Sequence, residues 1–313
     1  MLLDHGVNVD TKNIQGETAL HLLSRGYFHT QQGVETARLL LERGVEVNAR
    51  RKDGLTSLHL AAFKGRVEVA RVLLDHGANV ELETKGGETV LHLVSRGGYN
   101  NQEQCASTAR LLLERGVDVN AREKDGWTSL HSAAFEGRVE VAQILLDHGA
   151  DTKLETERGE TALHIVSQGE YDSEEHGVGV ARLLLEHGVD VHVQDKYFNT
   201  ALHDAAFYGR LEITQLLLSH GANPKVETER GRTPLHQVSR GEYKSQEYGV
   251  GIVRLLLEHD VDVDARGKDK FTPLHHAVFY GKLEIVQVRP FFLKLNKLIY
   301  IPEHRCFSIT VQT

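Results

Sequence analysis

Apolar residues recur along the chain with the spacing of a helix face. After Gly65, apolar residues recur so that pairs three or four positions apart share one helix face. These residues are Val67, Val69, Ala70, Val72, Leu73 and Leu74. Such spacing predicts an amphipathic helix that buries one apolar stripe. A shorter apolar segment from Leu58 to Phe63 predicts a first helix, and Gly65 separates the two because glycine disfavours the continuation of a helix.

Polar residues and glycines flank the two predicted helices and indicate where they begin and end. Thr56 precedes the first helix, where a threonine hydroxyl can bond the free N–H groups and stabilise the helix by about 1 kcal/mol. Gly77 follows the second helix and suits the left-handed conformation of a helix end. The polar segment Thr84-Lys85-Gly86-Gly87 then leads to the next apolar segment. One unit therefore consists of two helices and a polar connection.

This unit is repeated along most of the chain. The tetrapeptide Thr-x-Leu-His occurs eight times, with intervals of 38, 33, 39, 33, 39, 33 and 39 residues between its threonines, which are Thr18, Thr56, Thr89, Thr128, Thr161, Thr200, Thr233 and Thr272. Repetition at a period between about 20 and 50 residues marks a solenoid, in which each unit is stable only when it is stacked on its neighbours. A function should therefore reside on a repeated surface.

The residues of one unit resemble the ankyrin repeat. The resemblance is carried by Gly54-Leu55-Thr56-Ser57-Leu58-His59-Leu60-Ala61-Ala62 and by Val72-Leu73-Leu74-Asp75-His76-Gly77-Ala78-Asn79-Val80. Ankyrin units are similar in length and contain a Thr-Pro-Leu-His motif. The resemblance implies an all-α ankyrin-repeat solenoid with short β-turn fingers. It also implies that the motif histidine joins neighbouring units through hydrogen bonds.

The resemblance divides the chain into three parts. Residues 16–288 form the array, with units that begin near residues 16, 54, 87, 126, 159, 198, 231 and 270. Residues 1–15 resemble the end of a unit, and residues 289–313 resemble no part of one. The pattern stops at Val288-Arg289-Pro290, because proline cannot continue a helix. We therefore expect a partial N-terminal repeat and a divergent C-terminal tail. We interpret the chain as a truncated or mis-spliced fragment of a longer array.

Short and long units alternate along the array. The long units have six more residues between the motif histidine and the glycine that follows the second helix. We place these residues between the two helices, in the segments 97–103, 169–175 and 241–247. Insertions in repeat arrays usually form loops on one face, which is often the binding face.

Composition favours a soluble interaction protein. A formal net charge of −8 argues against general nucleic-acid binding, which requires basic surfaces. The chain has two cysteines, Cys105 and Cys306, too few for a disulfide framework, which favours a reducing compartment. No stretch is long and apolar enough for a membrane span, and the first residues are no secretory signal. We expect a cytoplasmic or nuclear monomer that binds neither nucleic acid nor membrane.

The 19 histidines suggest a metal site, but their positions in the repeat argue against one. The motif histidines and a second set at the ends of the second helices account for most of them. The second set, which suits the negative end of a helix dipole, is His5, His76, His148, His187, His220 and His259. No phosphate-binding loop or nucleophile elbow is present in the sequence. We expect no enzyme activity, no catalytic residues, no metal and no cofactor.

The resemblance places protein binding on a concave surface made by first helices and fingers. At the outward ends of the first helices, short units have a phenylalanine and long units mostly an arginine. The candidate partner-binding residues are Phe63, Lys64, Arg96, Phe135, Glu136, Gln168, Phe207, Tyr208, Arg240, Phe279 and Tyr280. Aromatic residues and arginine are enriched in interface hot spots. Alternatively, each phenylalanine packs on the insertion of its neighbour, which Tyr27, Tyr99, Tyr171 and Tyr243 help to hold.

Two functions remain open at this point. The chain is either a scaffold for a protein partner, such as the recognition array of a larger receptor or adaptor, or a degenerate gene product without independent function. Near-verbatim copies such as residues 37–45 and 109–117 favour recent duplication.

Three residues depart from the repeat pattern where glycine is expected. Phe198 and Lys270 replace the glycine of a finger, and Asp260 replaces the glycine after a second helix. If these positions require positive φ, each substitution costs on the order of 1 kcal/mol.

Overall fold

The protein is described from a computed structural model. The structure describes residues 8–26, 31–97, 102–169, 171, 173–243 and 245–288. The predicted tail at 289–313 and most of the partial repeat at 1–15 lie outside the described residues.

The described residues form sixteen helices and no strand. The first helices of successive units are α1 (Ala19–Arg25), α3 (Ser57–Phe63), α5 (Val90–Arg96), α7 (Ser129–Glu136), α9 (Ala162–Gln168), α11 (Ala201–Tyr208), α13 (Pro234–Arg240) and α15 (Pro273–Phe279). The second helices are α2 (Gln31–Glu42), α4 (Val67–Asp75), α6 (Gln102–Glu114), α8 (Val139–Asp147), α10 (Glu174–Glu186), α12 (Leu211–Ser219), α14 (Gln246–Leu257) and α16 (Leu283–Val286). The predicted all-α architecture is therefore confirmed.

Contacts divide the chain into two compact units. The first contains Met1–Ala201 with Ser219–Ala222, and the second contains Leu202–Leu218 with Asn223–Thr313. In the first unit, α1, α3, α5, α7 and α9 stack in sequence, and α2, α4, α6, α8 and α10 form a second layer. In the second unit, α13 packs on α15 and α14 packs on α16. Each layer thus buries the apolar stripe of its helices against its neighbours.

The leucine before the motif histidine is central to the core in every unit except the last, where Leu274 is half-buried. Leu58, Leu91 and Leu130 in the first unit, and Leu202 and Leu235 in the second, are at most 1% exposed. The small side chains of the second helices, such as Ala37, Ala109 and Ala181, are completely buried and let neighbouring helices approach closely.

The polar connections form tight turns, here called fingers. In the finger at 84–88, the amide of Thr84 donates to the carbonyl of Glu88 at 2.9 Å and the amide of Gly87 donates to that of Thr84 at 3.1 Å. Gly87 has φ +86°, which closes the turn. Neighbouring fingers are joined through the backbone, since the amide of Lys85 donates to the carbonyl of Asp53 at 3.0 Å. Short fingers without strands are therefore confirmed.

The six extra residues of the long units are not confined to the connection between helices, which corrects the prediction. The short-unit helix α4 has 9 residues, whereas the long-unit helices α6 and α10 have 13. Most of the insertion therefore adds about one turn to the start of the second helix. The segment 97–103 includes the first residues of α6, and only the remainder lies in the connection. An added helical turn satisfies its own backbone hydrogen bonds, whereas a longer loop would not.

Candidate functional site

The candidate residues lie at the C-terminal ends of the first helices, as predicted. In the first unit, Phe63, Arg96, Phe135, Glu136 and Gln168 are half-buried and Lys64 is exposed. In the second unit, Phe207, Tyr208 and Arg240 are half-buried and Phe279 and Tyr280 are exposed. We call these two groups, together with the fingers of the same unit, the first-helix surface of each unit.

The motif threonine and histidine fix the starts of these helices. At α7, the backbone amide of Thr128 donates to Nδ1 of His131 at 3.1 Å, and the Thr128 hydroxyl lies 2.8 Å from the same nitrogen. Nε2 of His131 lies 3.2 Å from the carbonyl oxygen of Glu160 in the next unit. A carbonyl only accepts, so the hydrogen is on Nε2 and Nδ1 is an acceptor. The implied role of this histidine, a bond between neighbouring units, is confirmed here.

The same link recurs at other junctions. Nε2 of His92 lies 3.1 Å from the carbonyl of Trp127, that of His164 lies 3.2 Å from the carbonyl of Asn199, and that of His236 lies 3.2 Å from the carbonyl of Phe271. Among the motif histidines that are followed by another described unit, His59 differs, because its buried Nε2 has no hydrogen-bond partner. Burial lowers the pKa of His59 and of His131 to about 4, so both rings are neutral at physiological pH.

The second set of histidines closes the second helices. Nδ1 of His76, of His148 and of His187 each lies 2.8 Å from the carbonyl four residues earlier, on Val72, Ile144 and Leu183. Each of these carbonyls also accepts the backbone amide of the same histidine, at 3.2, 3.1 and 3.1 Å, so the ring adds a second bond at the helix end. Structural roles for these histidines therefore account for their presence. Among the described residues, no group of three or more His, Cys, Asp or Glu side chains is placed to hold a metal ion.

In the first compact unit of the chain, the arginines of the long repeat units are paired with carboxylates. Nε of Arg25 lies 3.2 Å from Glu17, which also binds Arg51 at 3.1 Å. Arg96 binds Glu88 of its own finger, and its Nη2 lies 3.3 Å from Glu123 of the next finger. The sequence reasoning missed these acidic partners, although the recurrence of Glu17, Glu88 and Glu160 in register was a signal for them.

The arginine of the second unit has a different environment. The guanidinium of Arg240 lies over the ring of Phe207, 5.2 Å from its centroid, and Nη1 lies 3.3 Å from the side-chain oxygen of Gln237. Arg232 pairs with Asp269 at 3.1 Å. An aromatic face and a guanidinium attract each other, so the stacking holds Arg240 in place.

The phenylalanine rings have several kinds of neighbour. The ring of Phe135 packs edge-on against Trp127 at 5.8 Å, and the Lys64 ammonium lies 5.2 Å from the ring of Phe63. The predicted alternative, contact with the insertion of the next unit, holds for the backbone: the amide of Glu242 donates to the carbonyl of Phe207 at 2.9 Å. Phe279 is 73% exposed.

A tyrosine of the insertion turns inward, as the alternative predicted. Tyr171 is 7% exposed, and its hydroxyl donates to the carbonyl of Val166. Tyr243 is half-buried, and burial raises the pKa of its phenol. Tyr27 and Tyr99 lie outside the described residues. The insertion is therefore held by its own tyrosine where the structure describes it.

His276 directly follows the motif histidine of the last unit. It is buried, at 3% exposure, while the motif His275 is exposed. The ring of His276 lies 5.8 Å from that of His236 and 5.6 Å from that of Phe271. Burial lowers the pKa of His276 to about 4. It therefore acts as a neutral packing residue between α13 and α15.

The comparisons with known proteins identify a repeat family. A family model described as ankyrin repeats in three copies matches residues 1–84, 77–156, 149–228 and 220–288. No curated protein matches the chain. In the part of the chain that the structure describes, every helix is too short or too polar to cross a membrane.

Proposed function

Because the chain belongs to the ankyrin repeat family, whose repeats are generally protein–protein interaction modules, we propose that it is a scaffold that binds a protein partner on its first-helix surfaces. The ankyrin fold is a non-enzymatic binding scaffold.

One observation supports this location above others. Aromatic and cationic side chains recur in register at the ends of the first helices, where they are half-buried or exposed. Half-buried Phe135 and Arg96 already have fixed neighbours in Trp127 and Glu88. Side chains that are held before binding lose less conformational entropy when a partner docks, which suits them to act as hot spots.

Alanine variants of two candidate residues test the proposal. Phe135→Ala and Arg96→Ala should each weaken partner binding by about 1–2 kcal/mol, because aromatic and arginine side chains contribute most at interfaces. The partner is first identified by affinity purification and mass spectrometry, and its dissociation constant is then measured by titration calorimetry.

The control is an exposed arginine on a second helix. Arg71 lies on α4, forms only a weak 3.9 Å contact with Glu68 and is absent from the first-helix surface. Arg71→Ala should leave binding unchanged. The melting temperature of each variant separates binding from folding. Lowered stability with unchanged affinity in Phe135→Ala and Arg96→Ala would reject the proposed surface and make the side chain of Phe135 a packing residue.

A further inference from the structure

We propose that Arg240 is a binding site for a carboxylate of a protein partner, supplied by an Asp or Glu side chain or by a C-terminus. The proposal rests on the proposed function and adds the chemistry of the partner at one position of the first-helix surface in the second unit.

Arg240 can be compared with the residues at the same position of the other long units, because these units share one register. At the position of Arg240 the first two long units have Arg25 and Arg96. Glu17 neutralises Arg25 at 3.2 Å, and Glu88 and Glu123 neutralise Arg96. In both cases carboxylates of this chain occupy donors of the guanidinium, so these arginines keep fewer free donors for a carboxylate of a partner.

Both carboxylates are replaced around Arg240. The position of Glu88 is occupied by Arg232, and the position of Glu123 is occupied by Gly267. Arg232 itself forms an ion pair with Asp269, at 3.1 Å. Within the described residues Arg240 therefore has no carboxylate partner, and its buried Nε has no hydrogen-bond acceptor. Its one hydrogen bond in that part of the chain goes to the neutral amide of Gln237.

The geometry around Arg240 suits a planar anion. Its guanidinium carbon lies over the Phe207 ring, Nε is buried and Nη1 donates to Gln237, so Nη2 carries the N–H groups that are left for a partner. Arginine binds a carboxylate through two parallel hydrogen bonds in the plane of the guanidinium. Arg232 adds no net charge because it is paired with Asp269, and the nearest acid in sequence, Glu242, is exposed and lies near Lys282. The remaining buried side chains here, His236 and His276, have lowered pKa values and carry no charge at neutral pH.

A peptide selection identifies the ligand chemistry. The complete chain is immobilised and used to select binders from a random peptide library displayed with free C-termini and, in parallel, from a synthetic library with amidated C-termini. If the ligand is a side chain, we expect Asp or Glu to be enriched among the peptides selected from both libraries. Binders from the free-C-terminus library alone would identify a terminal carboxylate as the ligand.

Variants then locate the site with the selected peptides as probes. Arg240→Gln should weaken binding about tenfold or more, since a hydrogen-bonded ion pair is lost. Arg232→Glu restores the acid of the other long units beside Arg240 and should weaken binding to a similar extent, and its melting temperature is measured separately because it also removes the ion pair with Asp269. Arg25→Gln is the matched control, because Arg25 is already paired with Glu17, and it should change affinity by less than about twofold.

The outcomes separate this inference from the proposed function. Peptides selected equally well from both libraries without acidic enrichment, or selected peptides that bind Arg240→Gln as tightly as the original chain, would overturn the carboxylate site. If such peptides still lose affinity for Phe135→Ala, the first-helix surface remains the binding surface and only the assignment of Arg240 fails. Peptides that are insensitive to both changes, or a selection that enriches none, would overturn both.

Discussion

Three residues other than glycine adopt positive φ in the part of the chain that the structure describes. They are Phe198 at +61°, Asp260 at +51° and Lys270 at +66°. Each occupies a position where other units have glycine, such as Gly87 at +86° and Gly159 at +78°. A β-carbon costs roughly 1–2 kcal/mol in this conformation, and Asp tolerates it better than Phe or Lys. The strain predicted from the sequence at these positions is thus confirmed by the backbone.

Replacing the strained residues by glycine should stabilise the protein. Phe198→Gly and Lys270→Gly remove the left-handed strain but give the unfolded chain more freedom, which offsets about 0.4–1 kcal/mol of the gain. The expected net increase in the free energy of unfolding is up to about 1 kcal/mol, measured by urea denaturation. Gly159→Ala, at the equivalent position of another finger, should lower it instead. A loss of stability in both glycine variants would show that their side chains make stabilising contacts that outweigh the strain.

The long second helices show how an insertion becomes part of the core. Tyr171 lies in the connection before α10, and a β-carbon added to Gly177 on α10 would lie 2.5 Å from Cε2 of its ring. Tyr243 has the same relation to Gly249 on α14, at 2.6 Å from Cζ. The connection also passes close to the preceding unit, since a β-carbon on Gly169 would lie 2.6 Å from the carbonyl oxygen of Phe135. Glycine is therefore required at these three positions, because a β-carbon would overlap the neighbouring ring or carbonyl.

Gly177 leaves space for the ring of Tyr171, so the effect of Gly177→Ala on stability should depend on whether the tyrosine is present. Gly177→Ala should lower the free energy of unfolding by about 1–3 kcal/mol, because the added methyl group overlaps the ring. In a Tyr171→Leu background, the same change should be neutral or stabilising by up to about 1 kcal/mol, since alanine favours a helix. A double-mutant cycle by calorimetry measures the difference. Equal effects of Gly177→Ala in the two backgrounds would show that the ring does not set the cost.

The helices and fingers could be predicted from the sequence because eight copies of one pattern fix the register. The apolar stripe around Leu73, the cap at Thr56 and the glycine at Gly77 are local signals. The division of the insertion between connection and helix could not be predicted, since spacing gives only the total length. The slot at Gly177 and the carbonyl near Gly169 depend on tertiary contacts with Tyr171 and Phe135, and a polar contact such as Arg96 with Glu123 joins residues of different units.

Neutral histidines join successive units at most of the junctions that the structure describes, with His59 as an exception. Burial lowers the pKa of His21, His92, His164 and His236 below its usual value, and that of His131 to about 4. In each junction the Nε2 hydrogen points to a carbonyl of the next unit and Nδ1 accepts from the motif threonine. A protonated ring would carry a hydrogen on Nδ1 that faces the threonine amide. Because units contact only their neighbours, a weakened junction lowers the stability of the array as a whole.

This arrangement predicts loss of stability in mild acid. The unfolded histidines bind protons below about pH 6.5, whereas the folded ones resist protonation down to lower pH, so the stabilisation is complete above that pH and declines as the pH falls toward 4. For His131 alone, the shift from 6.5 to about 4 corresponds to a contribution on the order of 3 kcal/mol. Urea denaturation at steps between pH 7.5 and 4.5 should show the decline, and His131→Gln should reduce its slope because one proton-linked group is removed. The same stability at all these pH values would contradict the assignment of neutral histidines to the junctions.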